Sequence, residues 1–194
     1  LYVIRKLIFE EKLITFAQLL EAIDNNFSGY EDIHRRIENL KGKWGNGDAE
    51  VDALAHDVMK TMFGETYKYT AHRGGPFVVY VISMITHTID GRLSIATPDG
   101  RPAAKPYAAS CNPYNVEKAG PTASMRSVAA LPFEDVMGCA VNFKFHPTGI
   151  GENREAREKW ISLIRTYFKL GGAQIQPTVV SSQMLRQARD NPDD

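Results

Sequence analysis

The side chains able to do acid–base, nucleophilic or metal chemistry are sparse and scattered along this chain. Its five histidines, His34, His56, His72, His87 and His146, form no i,i+4 pair and have no carboxylate at ligand spacing, so no metal site is indicated. His87 is the most informative of them. It stands in the apolar run FVVYVISMITHT, residues 77–88, where a histidine is either a hydrogen-bonded core residue or a group facing a ligand. His146 precedes Pro147 at the end of a second apolar run and leaves the same two readings open. Cys111 and Cys139 fit neither a C-x-x-C nor a zinc spacing. Each could be a nucleophile only beside a base, and a cysteine that opens an apolar strand, as Cys139 does, is ordinarily inert packing.

Two glycine-bearing segments invite a phosphate-binding reading. GKWGNGD, residues 42–48, lies between two helical patterns, and no Lys-Ser/Thr pair follows it; the segment therefore reads as a helix–helix turn rather than a P-loop or dinucleotide turn. Gly120-Pro121-Thr122 opens a helix through Leu131, and the free N–H groups of its first turn can hold an anion or a loop carbonyl. Between them runs the long, proline-punctuated stretch IATPDGRPAAKPYAA, residues 95–109. A connection of this length inside a compact domain is usually either functional or disordered.

Composition narrows the function classes. Twenty-three basic and 23 acidic side chains in 194 residues give no net charge, so there is no electrostatic footprint for nucleic acid. The longest apolar run, residues 77–85, falls short of the roughly 18 residues of a membrane span. Two cysteines make no disulfide framework, and a reducing cytoplasm is the expected compartment. The chain opens on LYVIRKLIFEEK and stops at RQARDNPDD, just past a helical pattern, which leads us to expect a piece of a longer protein.

The elements that must position these groups divide in two. Residues 1–70 read as a helical segment. Val3, Ile4, Leu7 and Ile8 share one face, Thr15 and Gln18 form a capping box ahead of Leu19, Leu20, Ile23 and Phe27, and Ile33, Ile37 and Leu40 face inward from a third helix. Asp48 caps a fourth helix ending at Gly64. Residues 71–194 read as strands with connecting helices and polar loops. A strand buried on both faces is expected over 77–88, further strands over 139–145 and 173–180, and a helix over 154–170 carrying Trp160, Leu163, Ile164, Tyr167 and Phe168. Strand, helix, strand with a glycine stop predicts a crossover in a mainly parallel sheet, so the fold class is α/β.

ATPDGR (96–101), GPTA (120–123) with Ser127, NFKFHP (142–147) and RTYFKLGGAQIQ (165–176) resemble, in order and spacing, the C-terminal part of the glycyl radical enzymes. That family includes pyruvate formate-lyase, the diol and choline lyases and the fumarate-adding succinate synthases. KLIFEEKLITFAQLLEAIDNNFSGYEDI and KWGNGDAEVD resemble the helical stretch preceding this block, so the likeness spans essentially the whole chain. It implies a partial pyruvate formate-lyase-like β/α barrel over residues 1–194, with PDGR and GPTA as ordered connections outside the barrel. It also implies a glycyl radical in the parent enzyme, installed by an external activase that uses S-adenosylmethionine and an iron–sulfur cluster. No cofactor is expected on this chain. The implied partners are the rest of the catalytic subunit, the activating enzyme, small accessory subunits and a homodimer mate; nucleic acid and membrane are not among them.

The departures matter as much. The family's hydrogen-abstracting cysteine lies upstream of a segment like LYVIRKLIFEEK, and its radical glycine lies in an R-V-x-G-Y-type loop after a segment like LRQARDNPDD. No glycine of this chain has that context, and neither Cys111 nor Cys139 matches the thiyl position, so no catalytic residue is assigned and the chain alone is expected to be inactive. The resemblance aligns 77–88 with a strand lining the substrate cavity, and either Ser83, Ile85 and His87 or Ile82, Met84 and Thr86 would face inward. We expect the former set to line the cavity. Both faces are more apolar than a polyol site requires, which, with NPYNVEKAGPTASMRSVAALP and KFHPTGIG, points to an alkyl- or benzylsuccinate synthase forming a C–C bond by radical addition to fumarate. The alternatives are a glycyl radical lyase, dehydratase or formate acetyltransferase, or a non-catalytic scaffold module derived from the family.

Overall fold

In a computed structural model, which describes residues 1–151 and 153–191, helices form the first third of the chain and short parallel strands with crossing helices the remainder. Helix α1 (Tyr2–Ile4) runs on into a π-helical turn (Arg5–Glu10), burying Val3 and Leu7 as the pattern predicts. The capping box at Thr15 and Gln18 is present: the Gln18 amide donates to Thr15 Oγ1 at 3.2 Å and the Thr15 amide to Gln18 Oε1 at 2.8 Å, starting α2 (Phe16–Asp24). Glu31 and Asp32 sit in the first turn of α3 (Glu31–Asn39), matched to the positive end of the helix dipole. Asp48 Oδ1 accepts from the Glu50 and Val51 amides and starts α4 (Ala49–Thr66). Leu19, Ile23, Phe27, Ile33 and Ile37 pack into one apolar cluster. Leu20, expected inward, is half-exposed, because α2 buries only the stripe that meets α1 and α3.

The expected strand over 77–88 is corrected. Only Tyr80–Val81 forms β1; a turn follows, and Thr86–Leu93 is a helix, α5. Local hydrogen bonding ends the ladder: Ser83 carbonyl accepts from both the amide (2.8 Å) and the hydroxyl (2.6 Å) of Thr86. Such side-chain-to-backbone bonds compete with strand pairing. Nor is the run buried, since Phe77, Val78, Tyr80, Ile82, Met84 and Ile85 are all exposed.

The second expected strand is split. Gly138–Cys139 (β2) pairs in parallel with β1, whereas Asn142–Phe145 (β3) pairs in parallel with Gln176–Val179 (β4), so this stretch changes partners at Ala140–Val141. Between β3 and β4 run a short helix, α7 (Pro147–Ile150), and α8 (Arg154–Lys169), giving the parallel crossover the sequence predicts. Tyr167 of α8 is buried; its hydroxyl donates to the Gln174 carbonyl at 2.9 Å, and its ring lies where a Cβ on Gly172 would be, only 2.3 Å away. Phe168, expected on the same stripe, is half-exposed. α6 (Pro121–Ala129) opens with proline at its first position, and α9 (Ser182–Asp190) closes the described chain.

The long connection from Ser94 to Gly120 is ordered by side chains that bond its backbone. Arg101 fans its guanidinium over the carbonyls of Gly91, Ile95, Pro102 and Lys105 while stacking on the Tyr107 ring. Gly91 lies so close beneath that an added Cβ would stand 2.4 Å from the Lys105 oxygen. Asn46, within the GKWGNGD turn, donates to the Lys43 and Val116 carbonyls and accepts from the Lys118 and Ala119 amides. The adjacent Gly47 amide donates to Ser127 Oγ at 2.9 Å, tying the turn to α6. Asp52 of α4, 9% exposed, lies against Ser127 as well; burial pushes its carboxyl above the usual aspartate value, outweighing the Ser127 hydrogen bond that lowers it.

Two expected outcomes follow from these contacts. Asn46→Ala removes the acceptor of the Lys118 and Ala119 amides at a cost of about 1–3 kcal/mol, so hydrogen exchange over 116–119 should quicken by roughly 5- to 150-fold, read by mass spectrometry. Asp52 carries a raised folded-state pKa, so its stabilising protonated form is complete below the ordinary aspartate value of 3.8 and is lost as pH rises through the folded value. Urea midpoints measured across that window should fall more with pH in the native sequence than in Asp52→Asn.

Candidate functional site

The turn after β1 brings together two of the three expected cavity residues. Ser83 and His87 stand one helical turn apart, with Ser83 Oγ 3.2 Å from His87 Nδ1. Ile85 points elsewhere: it caps α5 without a side-chain bond and is 64% exposed. The common strand face expected for Ser83, Ile85 and His87 is replaced by an i,i+4 relation in which only the two polar residues meet.

Ser110, which nothing in the sequence marked, completes this group. Its amide donates to Ser83 Oγ at 2.9 Å, its own Oγ accepts from the Ser83 amide at 3.0 Å, and the two hydroxyl oxygens lie 3.4 Å apart. This reciprocal clamp, together with the Tyr107 amide on the His87 carbonyl at 3.0 Å, docks the end of the long connection on the turn. Ser83, His87 and Ser110 are half-buried. No carboxylate bonds His87 among the described residues, so the group lacks the orienting acid of a nucleophilic triad. What it offers is a fixed donor–acceptor set, with His87 Nε2 left to meet a further partner.

Ser110 and Cys111 also border an apolar groove of about 340 Å³, walled by Trp44, Leu54, Val58, Met59 and Val81 among others. Cys111 and Cys139 are buried in the same core cluster, and the Cys111 thiol is hydrogen-bonded to the Cys139 sulfur. That bond, with burial, holds Cys111 protonated far above the usual thiol range, while accepting it pulls Cys139 down. Tyr167 beside them is pushed up, chiefly by burial. A larger cleft of about 1070 Å³ is lined by Lys43, Asn46, Arg101, Asn112 and Lys118 among others. Within it Lys43 donates to the Asp99 carbonyl, and Asn112 bonds both the amide and the carbonyl of Asn142.

Three of the other four histidines make local contacts. His34 stacks on Phe27 and bonds the Gly100 carbonyl at 2.8 Å, His56 lies beside Asp57, and His146 caps α7 through Thr148. Among the described residues no three His, Cys, Asp or Glu side chains gather to hold a metal ion. No helix among them is long and apolar enough to cross a membrane.

The family described as pyruvate formate lyase-like matches residues 1–91, and the glycine radical family matches residues 107–194. Indoleacetate decarboxylase of Tractidigestivibacter scatoligenes is 32% identical over 97% of this chain and 24% of its own length. Among solved structures, the glycerol-bound B12-independent glycerol dehydratase from Clostridium butyricum superposes with a TM-score of 0.92 at 33% identity, covering 98% of this chain and 24% of that one. Hydroxyproline dehydratase from Clostridioides difficile, with trans-4-hydroxy-L-proline bound, gives a TM-score of 0.94 at 29% identity, covering 99% of this chain and 24% of that one. The chain thus spans about a quarter of the length of the relatives it matches.

The clamp makes a local prediction. Ser110→Ala leaves the Ser83 amide without its acceptor, at about 1–2 kcal/mol, so exchange of that amide should rise roughly 5- to 30-fold while the α2–α3 amides stay unchanged.

Proposed function

This chain belongs to the glycyl radical enzyme family, and from that membership we propose that it is part of the large catalytic subunit of a glycyl radical lyase or dehydratase acting on a small hydroxyl- or carboxylate-bearing substrate. One observation carries the reading: at the segment expected to wall the cavity, the side chains brought together are the polar Ser83, His87 and Ser110, not a buried apolar strand. A hydroxylated substrate needs fixed hydrogen-bond partners, because a polar group buried without one is strongly disfavoured. The names of the matched relatives, a decarboxylase and two dehydratases, favour the same class.

In this reading residues 1–194 are one partial domain, helical over 1–70 and barrel-forming over 71–194, and the rest of the subunit covers the apolar side chains exposed between Phe77 and Ile95. A glycyl radical held elsewhere in the parent enzyme, and made by an activase using S-adenosylmethionine and an iron–sulfur cluster, supplies hydrogen-atom abstraction. This chain's own residues orient and enclose: Ser110 fixes Ser83, Ser83 fixes the His87 ring, and His87 Nε2 meets the substrate. A cytoplasmic enzyme, with a homodimer mate or small accessory subunits, fits this assignment.

The fumarate-adding reading keeps one supporting observation, the exposed Ile82, Met84 and Ile85 on the same turn, which could flank a hydrocarbon.

One experiment separates the two. The parent subunit, activated under strict anaerobiosis, is offered glycerol and trans-4-hydroxyproline, and separately toluene or an alkane with fumarate, with products read by mass spectrometry. We expect elimination products and no succinate adduct. His87→Ala should then cost about 10- to 100-fold in kcat/KM while Ile85→Ala costs little. A succinate adduct, with a loss of about 10- to 200-fold on Ile85→Ala, would reverse the assignment. The 194 residues by themselves should give no turnover and no glycyl radical signal in EPR.

A further inference from the structure

Outside the proposed site, the buried pair of thiols is the chemistry that nothing else in the fold uses. Cys111 lies on the long connection and Cys139 at the end of β2, yet their backbones run side by side, with the Cys111 amide 3.5 Å from the Ala140 carbonyl. The side chains share one core cluster, 4% and 0% exposed. Neighbouring backbone at ladder spacing is the separation that a disulfide spans. Of the two, Cys111 borders the apolar groove of about 340 Å³.

We propose that Cys111 and Cys139 form a thiol–disulfide couple, closed by a small uncharged disulfide entering that groove into an intrachain bridge that fastens the long connection to β2. Loss of one proton from the pair to solvent leaves a single thiolate, and the form that reacts is the one with the proton on Cys139 and the charge on Cys111, because Cys111 is the sulfur that borders the groove. Cys111 attacks the reagent, its S–S bond breaks, and the departing thiolate takes the proton from Cys139. Cys139 thiolate then attacks the Cys111 sulfur, and the second thiolate leaves to be protonated by solvent. Two protein thiols are oxidised, and one disulfide is reduced to two thiols. The groove walls, Trp44, Leu54, Val58, Met59 and Val81, favour an uncharged reagent, because burying the charges of glutathione disulfide there is unfavourable. The bridge acts next to the proposed site, since Ser110, the neighbour of Cys111, is the residue clamped to Ser83.

The test uses the whole subunit carrying this chain, purified anaerobically with its thiols reduced. It is exposed in its native state to bis(2-hydroxyethyl) disulfide, quenched with acid, alkylated in denaturant and mapped by mass spectrometry. The peptides containing Cys111 and Cys139 should be recovered joined, two hydrogens lighter than their sum, and should separate on reduction. Cys139→Ser should stop with a single hydroxyethylthio adduct on Cys111, and glutathione disulfide should react about tenfold more slowly or worse. Recovery of both cysteines as free, alkylated thiols, or joining only in the presence of urea, overturns the proposal. Equal rates for the charged and uncharged reagents overturn the entry route.

Discussion

The constraint on which the rest depends is that the backbone of residues 94–120 has no strand ladder and no helix to satisfy it. Each buried N–H and C=O must find a partner, or the connection cannot lie against the protein. The chain solves this with side chains: from outside the segment Asn26 accepts from the Ala103 amide and Asn46 holds the Val116 carbonyl and the Lys118 and Ala119 amides, and from within it Arg101 spreads over the Ile95, Pro102 and Lys105 carbonyls. Ala96 is thereby buried in the N-terminal helical cluster and Cys111 in the strand cluster, so one polar segment locks the two apolar cores together.

That lock also explains how a site can form on such short strands. β1 and β2 pair over two residues each, too little to fix a side chain by themselves. The reciprocal Ser83–Ser110 bonds do what an extended ladder would have done, holding the turn after β1 against the connection. The polar character of the site and the ordering of the loop are thus one event. Beside it, Asn112 treats β3 as a neighbouring strand would, bonding both the amide and the carbonyl of Asn142.

The apolar surface around the turn has a plain physical meaning. Met84 and Leu93 are 82% and 84% exposed, beside Phe77, Val78 and Ile85. Apolar area of this extent gains free energy by being covered, and the matched structures are about four times longer than this chain.

What the sequence determined by itself is what local chemistry decides. The Thr15–Gln18 capping box, the Asp48 cap and the proline-led start of α6 depend on neighbours within a few residues, and each is found where its signal stands; the parallel crossover around α8 follows from the general connection rule for strand, helix and strand. The four ordered motifs carried family membership as well. Only the tertiary structure decided how FVVYVISMITHT is used, because an apolar run becomes a strand only where a partner ladder exists, and here β2 offers β1 a ladder of two residues. The same holds for Ser110 against Ser83, separated by 27 residues, and for Cys111 against Cys139: no periodicity encodes which distant segments share an edge, so those meetings are fixed by packing alone.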